Sequence, residues 1–320
     1  MGASTTRKDT SLPIRVGDNK GCLGRDGFHR FSILVTGGKA LRTETASPRL
    51  EWDDLGELHF VGLGLYDEAD ISVAGLEAAQ SADQVFAEFY TSKLTGATIE
   101  VLEGRIGRPI TMLDRESVET QPEMVLDVAA DGKAVMLVVG DPMAATTHID
   151  LRLQAEGRGI RTRIFHGASI LTAAFTELGL SVYKSGRVCT LQWPSGTYFP
   201  SSPYEQLAEN HQSDLHTLVL MDIRSDEGKY MTAAEGCQLL LRYESEIGYG
   251  VTGPDALACV VARAGAPDCL RVAGRLEDLA KMEFGPALHS IVVVGRLHFM
   301  EARALVVLAG ADPKLVEKDL

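Results

Sequence analysis

Long apolar runs and the common catalytic signatures are absent from this sequence of 320 residues. No apolar run reaches the roughly 20 residues of a membrane-spanning helix, and the first residues contain no apolar segment typical of a secretory signal. The motifs HExxH, GxSxG and GxxxxGKS/T do not occur, so nothing indicates a zinc protease, a serine hydrolase or a P-loop enzyme. We therefore expect a cytoplasmic protein without a membrane segment.

Cysteine is scarce, and positive charge is outweighed by negative charge. The cysteines are odd in number and widely spaced without a CxxC pair, which argues against a disulfide framework or a zinc site. The five are Cys22, Cys189, Cys237, Cys259 and Cys269. A formal net charge of −13 makes a polyanion a poor partner. We expect no bound metal and no nucleic-acid partner.

Two kinds of sequence follow one another along the chain. Residues 1–56 are rich in Gly, Arg, Asp, Ser and Thr without a sustained period, which predicts a flexible extension. From Leu58 onward, short apolar strands alternate with helices, including one expected over 117–130, so the fold class is α/β with mainly parallel sheets. We expect an N-terminal α/β domain at 57–167, a C-terminal α/β domain at 168–312 and a tail at 313–320.

A glycine-rich turn, Gly62-Leu63-Gly64, directly follows the first apolar strand. Glycine lets the backbone turn sharply and approach a ligand, although a plain tight turn explains the pattern equally well. Asp67 stands where a dinucleotide fingerprint needs a third small residue, which argues against a nicotinamide or flavin cofactor. Asp70 is expected to cap the helix that follows.

The strand Ala134–Val139 ends abruptly in Gly140-Asp141-Pro142. Its unbroken apolar run is typical of a strand buried on both faces. A carboxylate at the tip of such a strand can accept hydrogen bonds from ribose hydroxyls or a ligand ammonium group. Capping of the turn by Asp141 is the structural alternative, and both interpretations stay open.

Three further segments have both a functional and a structural interpretation. The small residues of His166–Ile170 either let a ligand approach the backbone between the two halves or form a linker. His289, beside an apolar strand, is by itself more typical of a structural histidine. The loop Trp193–Pro200 is either a rigid turn or a surface that contacts a macromolecular substrate through Tyr198.

Taken together, these motifs resemble the diphthine synthase family, and they occur in unbroken order over residues 58–311. The resemblance is carried by the blocks Gly62–Glu68, Phe86–Ser92, Gly140–Pro142, Ala145–His148, His216–Leu218, Asp222–Ile223, Met231–Ala233 and Ala262–Gly265. GxG and GDP alone would indicate only the wider tetrapyrrole-methylase-like class, whereas AEFYTS and ATTH indicate diphthine synthase. The short spacing between Asp222 and Met231 resembles archaeal members.

The resemblance implies an S-adenosylmethionine-dependent methyltransferase with two unlike α/β domains, a homodimer, and the cofactor in the interdomain cleft. The implied substrate is the aminocarboxypropyl-histidine of translation elongation factor 2, methylated on its amino nitrogen. By motif match, the cofactor contacts are Leu65, Asp141, Ala144, Ser169, Ile170, Met221, Ala264 and His289. No catalytic base is identified. Two alternatives remain: a tetrapyrrole, precorrin-type methyltransferase, and a non-catalytic protein that binds the elongation factor.

Overall fold

The computed structural model describes residues 56–196 and 198–320. The extension predicted for the N-terminus therefore lies outside the described residues, apart from Gly56. None of the helices within the described ranges is long and apolar enough to cross a membrane.

The first half of the described chain forms a five-stranded sheet in which every pairing is parallel. Its strands are β1 (Glu57–Gly62), β2 (Gln84–Glu88), β3 (Ile110–Leu113), β4 (Lys133–Val138) and β5 (Arg161–Phe165), in the spatial order β3-β2-β4-β1-β5. The helices between them are α1 (Val73–Gln80), α2 (Ile99–Ile106), α3 (Arg115–Glu119), α4 (Glu123–Asp131) and α5 (Ile149–Gly157). Helices on both faces explain why every residue of β1 and β4 after the first is buried.

The second half contains a five-stranded sheet in the order β11-β10-β12-β7-β6. Its strands are β6 (Cys189–Thr190), β7 (Thr217–Leu220), β10 (Leu257–Ala262), β11 (Leu270–Arg275) and β12 (His289–Val293); a separate hairpin joins β8 (Ile223–Arg224) to β9 (Lys229–Tyr230). The helices are α6 (Ile170–Leu178), α7 (Ser202–Gln212), α8 (Ala233–Glu246), α9 (Leu276–Leu279), α10 (Phe299–Ala309) and α11 (Pro313–Val316). Clusters of buried apolar residues pack on the two faces of this sheet.

The α/β fold class is confirmed, but the expectation of parallel pairing is wrong for the second sheet. Only β6 and β7 pair in parallel, whereas β10 pairs antiparallel with both β11 and β12, and β12 antiparallel with β7. The link from β10 to β11 is too short for a parallel crossover, which needs about a dozen residues or more. β11 was not predicted because it is partly exposed and contains two arginines. It therefore lacks the continuous apolar run that marks a buried strand.

Two local predictions are also corrected. The helix expected over 117–130 is divided into α3 and α4, because Pro122 has no N–H to continue a helix. The N-cap of α1 is Ser72, whose hydroxyl accepts a hydrogen bond from the Gly75 N–H. Asp70 lies before this cap and instead binds the backbone of the preceding turn.

Candidate functional site

The carboxyl ends of β1 and β4 are adjacent and form a topological switch point. The chain leaves β1 toward β2 and leaves β4 toward β5, in opposite directions along the sheet. Ligands of open α/β sheets bind in the crevice at such a point. Here Gly140 donates a backbone hydrogen bond of 2.7 Å to the Gly64 carbonyl oxygen.

Close backbone approach explains two of the glycines at this edge. A Cβ on Gly62 would lie 2.6 Å from the Gly140 carbonyl oxygen, and a Cβ on Gly167 would lie 2.3 Å from the same atom. Any side chain at these positions would therefore push apart the ends of β1 and β4 and the segment after β5. The GxG, GDP and HGAS segments meet because their glycines leave room for one another.

A cavity of about 410 Å³ opens beside this switch point, within the usual size range of small-molecule sites. All eight positions predicted from the family resemblance line it, namely Leu65, Asp141, Ala144, Ser169, Ile170, Met221, Ala264 and His289. The sequence separates these residues by more than 200 positions. The cavity therefore brings together loops from the carboxyl edge of the first sheet and from one edge of the second.

Three strands of the second sheet reach the cavity: β7 and β10 end there, and β12 begins there. Ala262 at the end of β10 lies opposite His289 at the start of β12, and Ser290 lies opposite Leu220 at the end of β7. Because β12 runs antiparallel to its neighbours, its beginning joins their ends at one edge. This register places Met221 and Ala264 beside the cavity.

Asp141 has the structural role that its sequence context allowed, and its side chain also reaches the cavity. One carboxylate oxygen caps the turn by accepting a 3.0 Å hydrogen bond from the Met143 N–H, and the other contacts His166. The side chain is 13% exposed and still lines the cavity. A carboxylate oxygen has two lone-pair sites, so these contacts leave acceptor capacity for a ligand.

Helix α6 begins at the cavity. Ser169 is its N-cap and accepts a 3.2 Å hydrogen bond from the Leu171 N–H, and Ile170 is the first helical residue. The helix dipole makes this end partly positive, which suits a ligand carboxylate.

Both ring nitrogens of His289 are engaged within the protein. Its Nδ1 accepts a 3.0 Å hydrogen bond from the Ala233 N–H, so Nε2 carries the proton and donates to the Pro286 carbonyl oxygen at 3.0 Å. Burial lowers the pKa of His289, which keeps the ring neutral. Any contact of His289 with a ligand would therefore use the ring carbons or the backbone.

Two charged residues that the sequence reasoning did not assign also line the second half of the cavity. Asp222 forms an ion pair with Arg224 at 3.4 Å and accepts a hydrogen bond from the Trp193 N–H. The Arg263 guanidinium binds the Asp268 carboxylate at 2.7 Å and the Phe284 carbonyl oxygen at 2.6 Å. The donors of Arg263 therefore hold the loops of the site together.

The AEFYTS and ATTH blocks also line the cavity, and each contributes a buried residue, Glu88 or His148, that lies behind the lining. Glu88 at the end of β2 is fully buried, and its carboxylate accepts hydrogen bonds from the N–H groups of Tyr90 and Thr91, both at 3.1 Å. The ring of His148 is also fully buried, with Nδ1 donating to the Pro142 carbonyl oxygen and Nε2 3.6 Å from Glu88. This buried pair holds the Tyr90 turn against the GDP turn.

Tyr90 lines the cavity beside helix α3. Burial, with the nearby Glu88 carboxylate, raises the pKa of Tyr90 to about 12, so its phenol stays protonated at neutral pH. Arg115, Glu119 and Thr147 line the same end of the cavity. The family blocks already contained Tyr90 and Thr147, whereas α3 carried no motif that could have indicated Arg115 and Glu119.

The loop Trp193–Pro200 has one exposed aromatic residue. Trp193 and Phe199 pack against the core, and the Phe199 ring stacks on Tyr243 with centroids 4.4 Å apart. Tyr198 is 57% exposed. Contact of Tyr198 with a protein substrate stays a prediction.

Comparison with known proteins identifies the family. Residues 57–280 match the tetrapyrrole (corrin/porphyrin) methylases. The chain is 43% identical over 261 residues to a diphthine synthase of Methanothermobacter thermautotrophicus, covering 82% of this chain and 98% of that relative. A diphthine synthase of Halorubrum lacusprofundi is 46% identical over 273 residues, covering 82% and 100%. This chain belongs to the diphthine synthase family.

A solved structure agrees with this assignment. The crystal structure of a diphthine synthase has a TM-score of 0.75 and 38% sequence identity, and the match covers 82% of this chain and 99% of that one. The family resemblance and the tetrapyrrole-methylase fold predicted from the sequence are confirmed. Membership of the diphthine synthase family also confirms the predicted enzyme class, a methyltransferase that uses S-adenosylmethionine.

Proposed function

We propose that this protein transfers methyl groups from S-adenosylmethionine to the amino nitrogen of the aminocarboxypropyl-histidine of elongation factor 2, in diphthamide biosynthesis. The single observation that carries the proposal is the shared cavity. Eight dispersed positions expected at the cofactor line one space, together with the Tyr90 and Thr147 segments typical of this family. The identity of the chain to diphthine synthases supports the same substrate.

The cavity has groups that fit each polar part of the cofactor. Asp141 would accept hydrogen bonds from ribose hydroxyls or an ammonium group, and the N-terminus of α6 would face a carboxylate. Backbone groups at Leu65 and Ala264 would contact the remainder, with the buried side chain of Met221 closing one wall. When bound, S-adenosylmethionine supplies a methyl group on a sulfonium, which is already a reactive electrophile.

The protein then has to position a neutral amine in line with that methyl group. Reacting atoms held about 3–3.5 Å apart gain most of the advantage of an intramolecular reaction. Exclusion of water from the cavity favours the unprotonated amine over the ammonium form. Water accepts the proton released by the nitrogen, and no side chain is assigned as a general base.

The arrangement of the whole protein completes the proposal. Residues 57–167 would form one domain and residues 168–312 the other, each built on one of the two sheets, with the cofactor in the cleft between them. We propose that the protein acts as a homodimer in the cytoplasm, where elongation factor 2 works.

A transfer assay with radiolabelled S-adenosylmethionine tests the proposed substrate. Elongation factor 2 carrying the unmethylated aminocarboxypropyl group is one acceptor, and a precorrin is the other. Label on the elongation factor alone supports the proposal. Label on the precorrin alone would instead assign the chain to tetrapyrrole methylation, and binding of the elongation factor without transfer would indicate a non-catalytic binding protein.

A further inference from the structure

One end of the cavity is lined by a charged and aromatic group from the first half of the chain. Tyr90 follows β2, Arg115 and Glu119 are the first and last residues of α3, and Thr147 lies between β4 and α5. None of these residues is among the expected cofactor contacts. Their chemistry therefore indicates what the cavity binds besides the cofactor.

The four side chains contact one another. The Arg115 guanidinium lies over the Tyr90 ring, 4.9 Å from its centroid, and is 3.6 Å from the Glu119 carboxylate. The Thr147 hydroxyl donates a 3.0 Å hydrogen bond to the same carboxylate oxygen of Glu119.

Stability does not explain this arrangement. The Arg115 side chain is 61% exposed, and ion pairs at such exposure contribute little to folding. The other cavity arginine, Arg263, has its donors bound to Asp268, Phe284 and Pro286. Arg115 can exchange its partner without disturbing the fold, which is a property expected of a binding residue.

We propose that Arg115, Glu119 and Tyr90 form the subsite for the amino-acid end of the aminocarboxypropyl substrate. This inference rests on the proposed function. Arg115 binds the substrate carboxylate, for which a planar guanidinium offers paired donors. When Arg115 moves to the substrate carboxylate, it leaves the Tyr90 ring and the Glu119 carboxylate. The ring face and this carboxylate then hold the substrate nitrogen as it becomes cationic.

The substrate nitrogen becomes positively charged during each transfer, and this subsite would stabilise that charge. In each transfer a nitrogen–carbon bond forms and the sulfur–carbon bond breaks, with the bonding pair left on the neutral thioether. In the first two transfers a nitrogen-bound proton leaves to water, which restores a neutral amine. The third transfer to a tertiary amine releases no proton and leaves a permanent cation. An aromatic face beside a carboxylate stabilises that cation without supplying a hydrogen-bond donor.

Steady-state methylation of aminocarboxypropyl-elongation factor 2 tests the Arg115 assignment. Arg115→Met should raise KM for the elongation factor by about tenfold or more, because a charge-assisted contact is lost. Arg115→Lys keeps the charge but not the planar fork, so its KM should lie between the two. Affinity for S-adenosylhomocysteine, measured by calorimetry, should stay within about twofold of wild type because Arg115 lies away from the expected cofactor contacts.

Arg158→Met is the matched control. Arg158 is another partly exposed arginine of the first half, paired with Glu123 and Asp127, and it does not line the cavity. Its substitution should leave KM unchanged. An unchanged KM in Arg115→Met, or an equal rise in the control, would overturn the proposal.

Glu119→Gln separates the two ends of the subsite. It keeps the shape of the side chain but removes the charge beside the nitrogen, so mass spectrometry should show mono- and dimethylated products accumulating before the trimethylated form. A wild-type product distribution would contradict the role of Glu119. If wild-type protein transfers no methyl group to the elongation factor, the proposed function itself fails; an active wild type with unaffected variants rejects only the subsite.

Discussion

The Oδ2 atom of Asp141 lies 2.6 Å from Nδ1 of His166, which joins the turn after β4 to the segment after β5. The histidine side chain is 72% exposed, whereas the carboxylate is nearly buried at the cavity wall. Asp141 therefore has a partner in the protein as well as access to the cavity, and substitution can separate the two roles.

Asp141→Ala should weaken S-adenosylhomocysteine binding at least about tenfold, because a charge-assisted hydrogen bond contributes roughly 1.5–3 kcal/mol. His166→Ala keeps the carboxylate and should change the affinity by less than about threefold. Calorimetry on both variants checks this expectation. Equal losses would mean that Asp141 acts only by holding His166.

The Asp70 carboxylate should support the cofactor site indirectly. It accepts hydrogen bonds from the N–H groups of Leu65 and Tyr66 at 3.0 and 2.8 Å, and Gly64 beside them has a φ of +76°. Asp70→Ala should therefore free the turn and weaken S-adenosylhomocysteine binding by up to about tenfold.

Asp67→Ala provides the comparison for Asp70. Asp67 lies in the same loop, but among the described residues its carboxylate accepts only from the Ala69 N–H, at 2.9 Å. Calorimetry should show nearly wild-type affinity in this variant. An equal effect of both substitutions would show that general loosening of the loop, rather than support of Leu65, matters.

His59 should make the stability of the protein depend on pH. It lies buried in β1, and burial lowers its pKa from 6.5 to about 4. In the unfolded chain the histidine takes up a proton below pH 6.5, while in the folded protein it stays neutral down to about pH 4. The free energy of unfolding contributed by this group is therefore lost as the pH falls from 6.5 to 4.

Urea unfolding of wild type and His59→Leu between pH 7 and 4 measures this contribution. The variant should lose less stability over the interval, because leucine cannot take up a proton. A parallel decline of both proteins would show that other groups cause the pH dependence.

The loop Trp193–Pro200 should divide into a structural and an exposed part. Phe199→Ala removes a ring stacked on Tyr243 and should lower the melting temperature by several degrees. Tyr198→Ala should hardly change the melting temperature, because the side chain is 57% exposed, but should slow methylation of the elongation factor. Tyr198→Ala with wild-type turnover would remove the case for a substrate-contacting loop.

The sequence predicted the first sheet well because its signals are local. Buried parallel strands such as β4 are continuous apolar runs, and Gly140-Asp141-Pro142 marks the end of that strand. The mixed second sheet could not be predicted in the same way, because β11 is half-exposed and contains Arg271 and Arg275. Antiparallel pairing also depends on partners distant in the chain.

The cavity residues likewise divide into those that the sequence could predict and those that it could not. The glycine turns and the carboxylate of Asp141 had sequence signals, and the family resemblance supplied the positions of the second half. The contacts of Arg115 with Tyr90 and Glu119 depend on packing between α3 and the turn after β2, which no short motif encodes. The buried pair of Glu88 and His148 likewise becomes visible only in three dimensions.

The proposed activity is methyl transfer to the aminocarboxypropyl nitrogen of elongation factor 2. Mass spectrometry of the modified peptide, after incubation of the elongation factor with this protein and S-adenosylmethionine, tests it most directly. We expect successive additions of methyl groups up to three, located by fragmentation on the side-chain nitrogen and dependent on the cofactor. An unchanged peptide mass with fully folded, cofactor-binding protein would contradict it.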